Sequence, residues 1–416
     1  MVQEPIISST IRLTKGNIPS YVEIDLPSSK SISNRLLILQ NLSKKTIEIN
    51  NLSKANDTQL LKNILSSNTS PINVEDAGTA ARFSLAWACI KNTTRIISGT
   101  SRMHERPMKE LIDALRNIGF QIRCMEQEGF MPVEISRTDW SKLRNEVSID
   151  GSVSSQFISA LCLIAPFLPN GLSIHIEGRC TSLPYLLMTL SLLKAANVPL
   201  TFEGNEITIE VHPEIEGDFI VEADWSAAAF WYGIVSHLPA STILLRGLTA
   251  DSIQGDRKVV DLFQKLGVKS DFPEKGALIS RTDMETSPVD ENLMDNPDLA
   301  QPFIIACVLK NIEGDFRGLH TLRDKETDRI EALQNEILKI NGSLVENNPN
   351  YKLSFRNEPV NDHLFFKTYN DHRMAMSLSQ CVFTLGVISI ENPEAVTKSY
   401  PNFWTELKKL GVNIQS

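Results

Sequence analysis

No C-x-x-C pair occurs among the six cysteines, Cys89, Cys124, Cys162, Cys180, Cys307 and Cys381. A zinc site or a disulfide framework would need such spacing, so neither is expected. Most of these residues sit in apolar runs such as Phe303 to Leu309, which predicts buried free thiols in a reducing compartment. Basic charge is also in deficit, with 41 Lys and Arg against 50 Asp and Glu and a formal net charge of -9. General binders of nucleic acid or anionic membrane present a basic surface, which excludes both classes; a small anionic ligand would need a locally basic pocket. Long apolar runs are missing too. The longest, Phe157 to Leu168, falls short of the ~20 residues of a membrane crossing and contains Ser and Pro. The opening MVQEPIISSTIRL lacks a basic region followed by an apolar core and a small-residue cleavage site. No signal peptide is therefore expected, and the cytoplasm is the expected compartment.

What is present is the composition of an ordinary globular protein, 42% hydrophobic and 22% charged. Its 416 residues exceed what one hydrophobic core usually organises, so two domains or two lobes are expected. No Pro-rich or low-complexity linker separates them, and composition draws no boundary. One local pattern recurs: an amphipathic helix, a small residue, then a β-like segment. It appears in LIDALRNIGFQI, LSLLKAANVPL, VVDLFQKLGVKS, ALQNEILKINGSL and FWTELKKLGVNI, with a weaker copy at LLKNILSS. The capping positions Gly119, Asn197, Gly267, Gly342 and Gly411 recur roughly every 70 to 80 residues. Between them run segments rich in Ile, Val and Thr, such as TIEIN, RIISG, EITIEV, TILLRG and VISIEN, which predict strands. The fold class is α/β, built from repeated units, although helix-Gly-strand is also common in α/β proteins without repeats.

The stretches that carry chemistry lie where helices should begin. Ser28 to Arg35 precedes the apolar helix LLILQNL, and its serines, free N–H groups, Lys30 and Arg35 could hold a phosphate or carboxylate. Asp76 to Arg82 is a small-residue turn into FSLAWACI, where Gly78 lets a ligand approach the backbone. Ser101 to Pro107 opens MKELIDALRNIG, with Pro107 suited to the first helical position. Two arginines there oppose the helix macrodipole, a conflict that an anion would relieve. Ser152, Ser154, Ser155 and Gln156 open one apolar helix and Thr181 to Tyr185 another. In the second half, Asp298 sits beside a helix mouth; Arg323 to Arg329 and Thr368 to Arg373 precede two more, and Lys398 lies ahead of the last. Capping and solvated surface charge explain any one of them. Gathered in one cleft, they would make a field suited to two multiply charged anions, with Asp298 and Glu326 as acids for proton transfer.

In that order SSKSISNR, DAGTAARF, RMHERPMKEL, DGSVSSQF, DSIQGD, KETDR, TYNDHRMAM and VTKSYPNF resemble the 5-enolpyruvylshikimate-3-phosphate synthase family, over essentially the whole chain. KETDR and NDHRMAM carry most of the specificity. The resemblance implies a two-lobed, inside-out α/β barrel whose lobes each hold three β-α-β-α-β-β units. One lobe would comprise 1–27 with 225–416 and the other 28–224, with the active site in the cleft between them. It implies addition of the 5-hydroxyl of shikimate 3-phosphate to C2 of phosphoenolpyruvate, protonation at C3, then loss of phosphate, on the route to chorismate and aromatic amino acids. Neither a metal nor an organic cofactor is implied, and a monomer is expected.

By the same resemblance, Lys30, Gly78, Arg106, Gln156, Arg329, Arg373 and Lys398 hold phosphoenolpyruvate. Lys30, Ser31, Arg35, Ser154, Ser155, Gln156, Ser182, Asp298 and Lys325 hold shikimate 3-phosphate, with Tyr185 near its ring. The catalytic set is Lys30, Asp298, Glu326 and His372, with Asp298 as the base for the hydroxyl and Glu326 with Lys30 serving C3. Departures from the commonest pattern are Ser28 for Gly, Asp76 for Asn, Phe83 for Pro, and Ala223-Asp224-Trp225 for Gly-Asp-Ala. An extra carboxylate at Asp76 is expected to weaken phosphate binding unless it is protonated or paired with an Arg. Gly78 predicts that glyphosate competes with phosphoenolpyruvate. UDP-N-acetylglucosamine enolpyruvyl transferases are the nearest rival, but they carry a Cys where Ser98 to Pro107 has none. A non-catalytic sugar-phosphate binder is the other alternative, against which the retained acids speak.

Overall fold

The computed structural model describes residues 9–239, 241–284, 286–358, 360–361 and 363–416. The first eight residues, part of the opening read above as lacking a signal peptide, lie outside them. Apolar and polar residues alternate in the short Ile-, Val- and Thr-rich segments, and these pair into five four-stranded sheets and one two-stranded sheet. All five larger sheets share one pattern. In one of them Ile72–Asn73 runs parallel to Arg95–Ser98, which pairs antiparallel with Val133–Ser136, and that strand with Gln121–Cys124. The intervening helices Gly78–Lys91 and Lys109–Ile118 complete a β-α-β-α-β-β unit. Strands Val289–Asn292, Gly314–Arg317, Gly342–Asn347 and Asn350–Phe355 repeat the pattern. Two units draw a strand from the chain's beginning: Tyr21–Asp25 lies parallel to Thr242–Arg246, and Thr10–Lys15 closes the sheet of Val387–Glu391 and Val412–Gln415. The sixth unit has both helices and the parallel pair Gly217–Ile220 with Ile47–Asn50; among the described residues its sheet has no closing hairpin.

Two main apolar clusters form the cores. One runs from Ile11 to Ile24 and from Ala223 to Val412, the other from Leu37 to Ile215. In each, the first helix of every unit lies at the centre. Trp225–Val235, Ala300–Leu309 and His372–Ser379 pack on one another in one lobe, and Lys30–Leu42, Gly78–Lys91 and Ser155–Ile164 do so in the other. These helices are buried nearly all round, as expected of helices enclosed by sheets. Sheets outside and helices inside make each lobe an inside-out barrel. The chain passes between the lobes side by side: Ser28 bridges Ala223, Ser29 N–H donates to Glu222 O at 2.8 Å, and Asp224 N–H donates to Pro27 O at 2.9 Å.

All six sequence repeats are helices leading to strands, with left-handed residues at Asn197, Gly267 and Gly411 and Gly119 at a positive φ of 123°. In ALQNEILKINGSL, however, the left-handed residue is Asn341, not Gly342, which already lies in the strand. Helix starts fall earlier than the apolar runs suggest: the first begins at Lys30 instead of Leu36 and another at Gly78 instead of Phe83. Polar side chains at those starts are covered by residues distant in sequence, Arg35 by Thr189 and Tyr185 and Arg82 by Phe157, which the local pattern does not reveal. Pro107 is not a first helical residue, since Ser101–His104 forms a one-turn helix and the next begins at Lys109. Four cysteines are buried free thiols, but Cys124 and Cys180 are only half-buried.

Candidate active site

Every central helix starts at the seam between the lobes, and the first turns of all six meet at one crevice. Lys30, Gly78 and Gln156 come from one lobe and Ser226, Asp298 and His372 from the other, with Asp298 on the short turn that leads into Ala300–Leu309. The crevice contains about 800 Å³ free of protein atoms, including solvent at its mouth. Six converging N-termini carry partial positive charge, and six cationic side chains line the same space: Lys30, Arg35, Arg106, Lys325, Arg329 and Arg373. On a chain of net charge -9 this is the locally basic pocket that a small anionic ligand requires.

Arg329 organises one wall. It is 1% exposed, and its guanidinium donates to Asp371 at 2.7 Å, Asp298 at 3.1 Å and Glu326 at 2.8 Å. Asp371 can hold it because it caps the helix His372–Ser379 through Arg373 N–H at 2.8 Å and is itself fully buried. Arg373 reaches back to Asp298 Oδ2 at 2.6 Å. Burial opposes ionisation of Asp298, but Arg373, Arg329 and Lys325 outweigh it and hold its carboxyl down at about 2. Glu326, also buried, is held well below the usual carboxylate range by Arg329, Lys398 and Arg106. Burial brings the Lys325 ammonium down to about 8, with Asp298 opposing the change. Asp298 accepts no capping hydrogen bond from the helix; its two oxygens face the two arginines. His372 is 1% exposed, neither ring nitrogen has a hydrogen-bond partner, and burial with the Lys30 charge keeps it neutral.

The facing wall holds cations with few counter-charges. Arg35 is 2% exposed, and its partners are Thr189 Oγ1 at 2.7 Å, Ser31 O at 2.8 Å and Tyr185 O at 3.0 Å, all neutral. Its guanidinium lies 5.5 Å from the centre of the Phe83 ring, which gives that departure a role as an apolar floor beneath a cation. Burial lowers Arg35 to about 10. Arg82 and Arg106 crowd Gly78, where an added Cβ would lie 2.5 Å from Arg82 Nη1 and 2.7 Å from Arg106 Nη1. Both arginines have buried Nε and Nη1 atoms without a hydrogen-bond partner, and burial lowers the affinity of both for their protons. A ligand anion would satisfy these donors and offset that cost.

Lys30 donates from Nζ to Asp57 Oδ2 at 2.8 Å, and Lys398 Nζ lies 3.7 Å from Asp57 Oδ1. Asp76 is paired, though with Lys398 at 2.6 Å and not with an Arg, and the pair joins the two lobes. The other departures are structural. Trp225 is fully buried 6.0 Å from the Phe272 ring, while Asp224 caps its helix through Ala227 N–H and also accepts from Lys30 N–H.

Gly78, Ser31, Gln156 and Tyr185 line the crevice as well. Ser154 and Ser182 occupy the N-cap positions of neighbouring helices, with Ser155 the buried first residue of one of them, and none of the three lines it. Lys398 stands just behind Ser399, which does. Sequence reasoning missed Asp57, Asp371 and Asp256. Asp371 and Asp256 lay inside quoted motifs without a role, and Asp57 opens the helix of the weakest repeat, where nothing local sets it apart.

A sequence model of EPSP synthase (3-phosphoshikimate 1-carboxyvinyltransferase) matches residues 62–407. This chain belongs to the EPSP synthase family. A relative from Bacteroides fragilis named 3-phosphoshikimate 1-carboxyvinyltransferase is 40% identical, the match covering 95% of this chain and 97% of the relative. One of the same name from Haemophilus influenzae is 32% identical over 93% and 96%. Among solved structures, EPSP synthase from Acinetobacter baumannii superposes with a TM-score of 0.78 at 18% identity, covering 98% of this chain and all of that one. The enolpyruvyl transferase NikO from Streptomyces tendae gives 0.75 at 13% identity over 98% and 99%. These distant structures share the fold; membership of the EPSP synthase family rests on the sequence matches. Among the described residues no group of His, Cys, Asp and Glu side chains could hold a metal ion, and no helix is long and apolar enough to cross a membrane.

Proposed function

We propose that this protein transfers the enolpyruvyl group of phosphoenolpyruvate to the 5-hydroxyl of shikimate 3-phosphate and releases phosphate. One observation carries the reading: cations drawn from both ends of the chain meet in a single crevice beside two ionised acids, Asp298 and Glu326. Two phosphorylated carboxylic acids need that field, and fixed charges stabilise a reaction that builds positive character at C2 and then expels an anion. In this reading Arg106, Arg329, Arg373 and Lys398, with Lys30, Gly78 and Gln156, bind phosphoenolpyruvate. Arg35, Ser31, Lys325, Asp298, Tyr185, Ser154, Ser155 and Ser182, with Lys30 and Gln156, bind shikimate 3-phosphate. Asp298 accepts the hydroxyl proton, Glu326 and Lys30 serve C3, and His372, being neutral, packs beside them without adding charge. Residues 1–27 with 225–416 form one lobe and 28–224 the other, hinged where Ser28 meets Ala223. A cytoplasmic monomer is part of the proposal. A coupled assay tests it: phosphate appears when both substrates are present and not with either alone, and no release from the pair refutes it.

Glyphosate is expected to compete with phosphoenolpyruvate, and steady-state inhibition without a competitive component would count against this. Gly78→Ala pushes the Arg82 and Arg106 guanidinium groups out of place. It raises KM for phosphoenolpyruvate about tenfold, the worth of one charge-assisted hydrogen bond, and the glyphosate inhibition constant at least as much. Asp76→Asn acts in the opposite direction. It frees Lys398 from its closer carboxylate, and because the Asp76 side chain is 43% exposed the gain is modest. KM for phosphoenolpyruvate falls about twofold to fivefold with kcat little changed; a higher KM would mean that Asp76 positions Lys398 for the substrate.

A further inference from the structure

Asp298 is clamped by two arginines, Arg373 at 2.6 Å and Arg329 at 3.1 Å, with Lys325 alongside. A carboxylate so stabilised is a weak base, and a proton that reaches it is held poorly and needs a better acceptor nearby. A second acid stands behind it. Asp256, 2% exposed, lies on the short turn Gly255–Lys258, and its partners are all neutral donors: Asn296 Nδ2 at 3.1 Å, Ser226 Oγ and Tyr185 Oη at 2.8 Å. The same Tyr185 hydroxyl lies 3.4 Å from Asp298 Oδ2, so one O–H group spans the two carboxylates.

We propose that Asp256 is the resting place of the proton that Asp298 takes from the substrate hydroxyl, delivered through the hydroxyl of Tyr185. The step rests on the function proposed above. The O–H bond of the substrate breaks as one forms on Asp298. Asp298 then passes its proton to the Tyr185 oxygen while Tyr185's own hydrogen moves to Asp256 Oδ2. One proton has moved, no electrons are lost, and Asp298 is again a carboxylate. The reverse relay returns the proton, which in the overall reaction leaves with phosphate. Burial and the facing Asp298 charge raise the Asp256 carboxyl above the usual carboxylate range, which makes it the better proton acceptor of the two; Arg373 is the cation that opposes this rise. Asp256 acts through Tyr185 and Asp298, so it is a positioning residue for the reaction.

The test is phosphate release from both substrates across about pH 5 to 9 by the unmodified chain, Asp256→Asn, Tyr185→Phe and the double variant. Asn keeps the shape of the carboxyl and one acceptor oxygen, for Ser226 and Tyr185 or for Asn296 but not for both sides, and accepts no proton; Phe keeps the ring but loses the relay oxygen. Each single variant is expected to lose about tenfold or more in kcat with shikimate 3-phosphate still bound in calorimetry; both KM values stay within about twofold in Asp256→Asn, because Asp256 does not line the crevice, and the KM for phosphoenolpyruvate does so in Tyr185→Phe. The fall in kcat at low pH, set by Asp256 having to be ionised, disappears in Asp256→Asn. The double variant is no slower than the worse single one, because both interrupt one route. Unchanged kcat and an unchanged acidic limb overturn the proposal, as does a double variant whose loss is the product of the single losses. No phosphate from the unmodified chain overturns the reading beneath it and the relay with it.

Discussion

Asp298→Asn is expected to lower kcat for phosphate release by about 10²- to 10⁴-fold, the usual contribution of a positioned general base. The amide can still accept a hydrogen bond from Arg373 and still meet the substrate hydroxyl, so shikimate 3-phosphate affinity changes little. Calorimetric binding together with single-turnover phosphate release separates the two effects. A kcat within about threefold of the unmodified enzyme would remove Asp298 from the chemistry and leave it as an anchor for two arginines. The relay adds a diagnostic: with the base gone, Asp256→Asn in the Asp298→Asn background costs almost nothing more.

Arg329→Met should be the most destabilising change in the crevice. It strips the shared partner from Asp371, which is fully buried, and from Glu326 and Asp298. Removing one side of a buried ion pair costs about 3–5 kcal/mol because the remaining charge has lost its solvent and gained nothing. Urea unfolding measures it, and a loss below about 1 kcal/mol would show that the carboxylates relax to water or protonate. The sign with pH follows from Glu326 and Asp298, whose carboxyls Arg329 helps to hold down in the folded chain. Their contribution is present above the unfolded carboxylate pKa and lost as pH falls through the folded values. The gap between the unmodified chain and Arg329→Met is therefore widest near neutrality and narrows in acid. Arg329→Lys restores the charge but not the three-way fork, and should fall between them.

Much of the fold was legible because its signals are local. A helix ending in Gly or Asn and running into an Ile- and Val-rich strand announces itself within a dozen residues, and the unit at Gly119 did so. Harder to see were the strands Tyr21–Asp25 and Gly217–Ile220, each far along the chain from the rest of its unit. Their pairing depends on where the chain crosses between lobes, and no linker composition marks the crossings at Ser28 and Ala223. Helix starts were placed late at Lys30 and Gly78 because a polar first turn reads as loop until something covers it.

The site divides in the same way. Lys30, Arg106, Arg329 and Arg373 stood out because cations at helix starts oppose the macrodipole and so call for an anion. Asp57 and Asp371 did not, since capping alone would place an acid at the N-cap, as at Asp371, and the macrodipole alone would place one in the first turn, as at Asp57. Only the folded chain shows that one holds Lys30 and the other Arg329.

Residue order alone determined the class of structure, the repeated unit, the family and the chemistry of the side chains available. Tertiary structure decided which charges meet: Lys398 with Asp76 from 322 positions away, and Arg35 with an aromatic ring and hydroxyls in place of an acid. The physical reason is that helix and strand signals arise between neighbours a few residues apart. The strength of a charge depends instead on the solvent it has lost and on partners that only the joined lobes bring within a few ångströms.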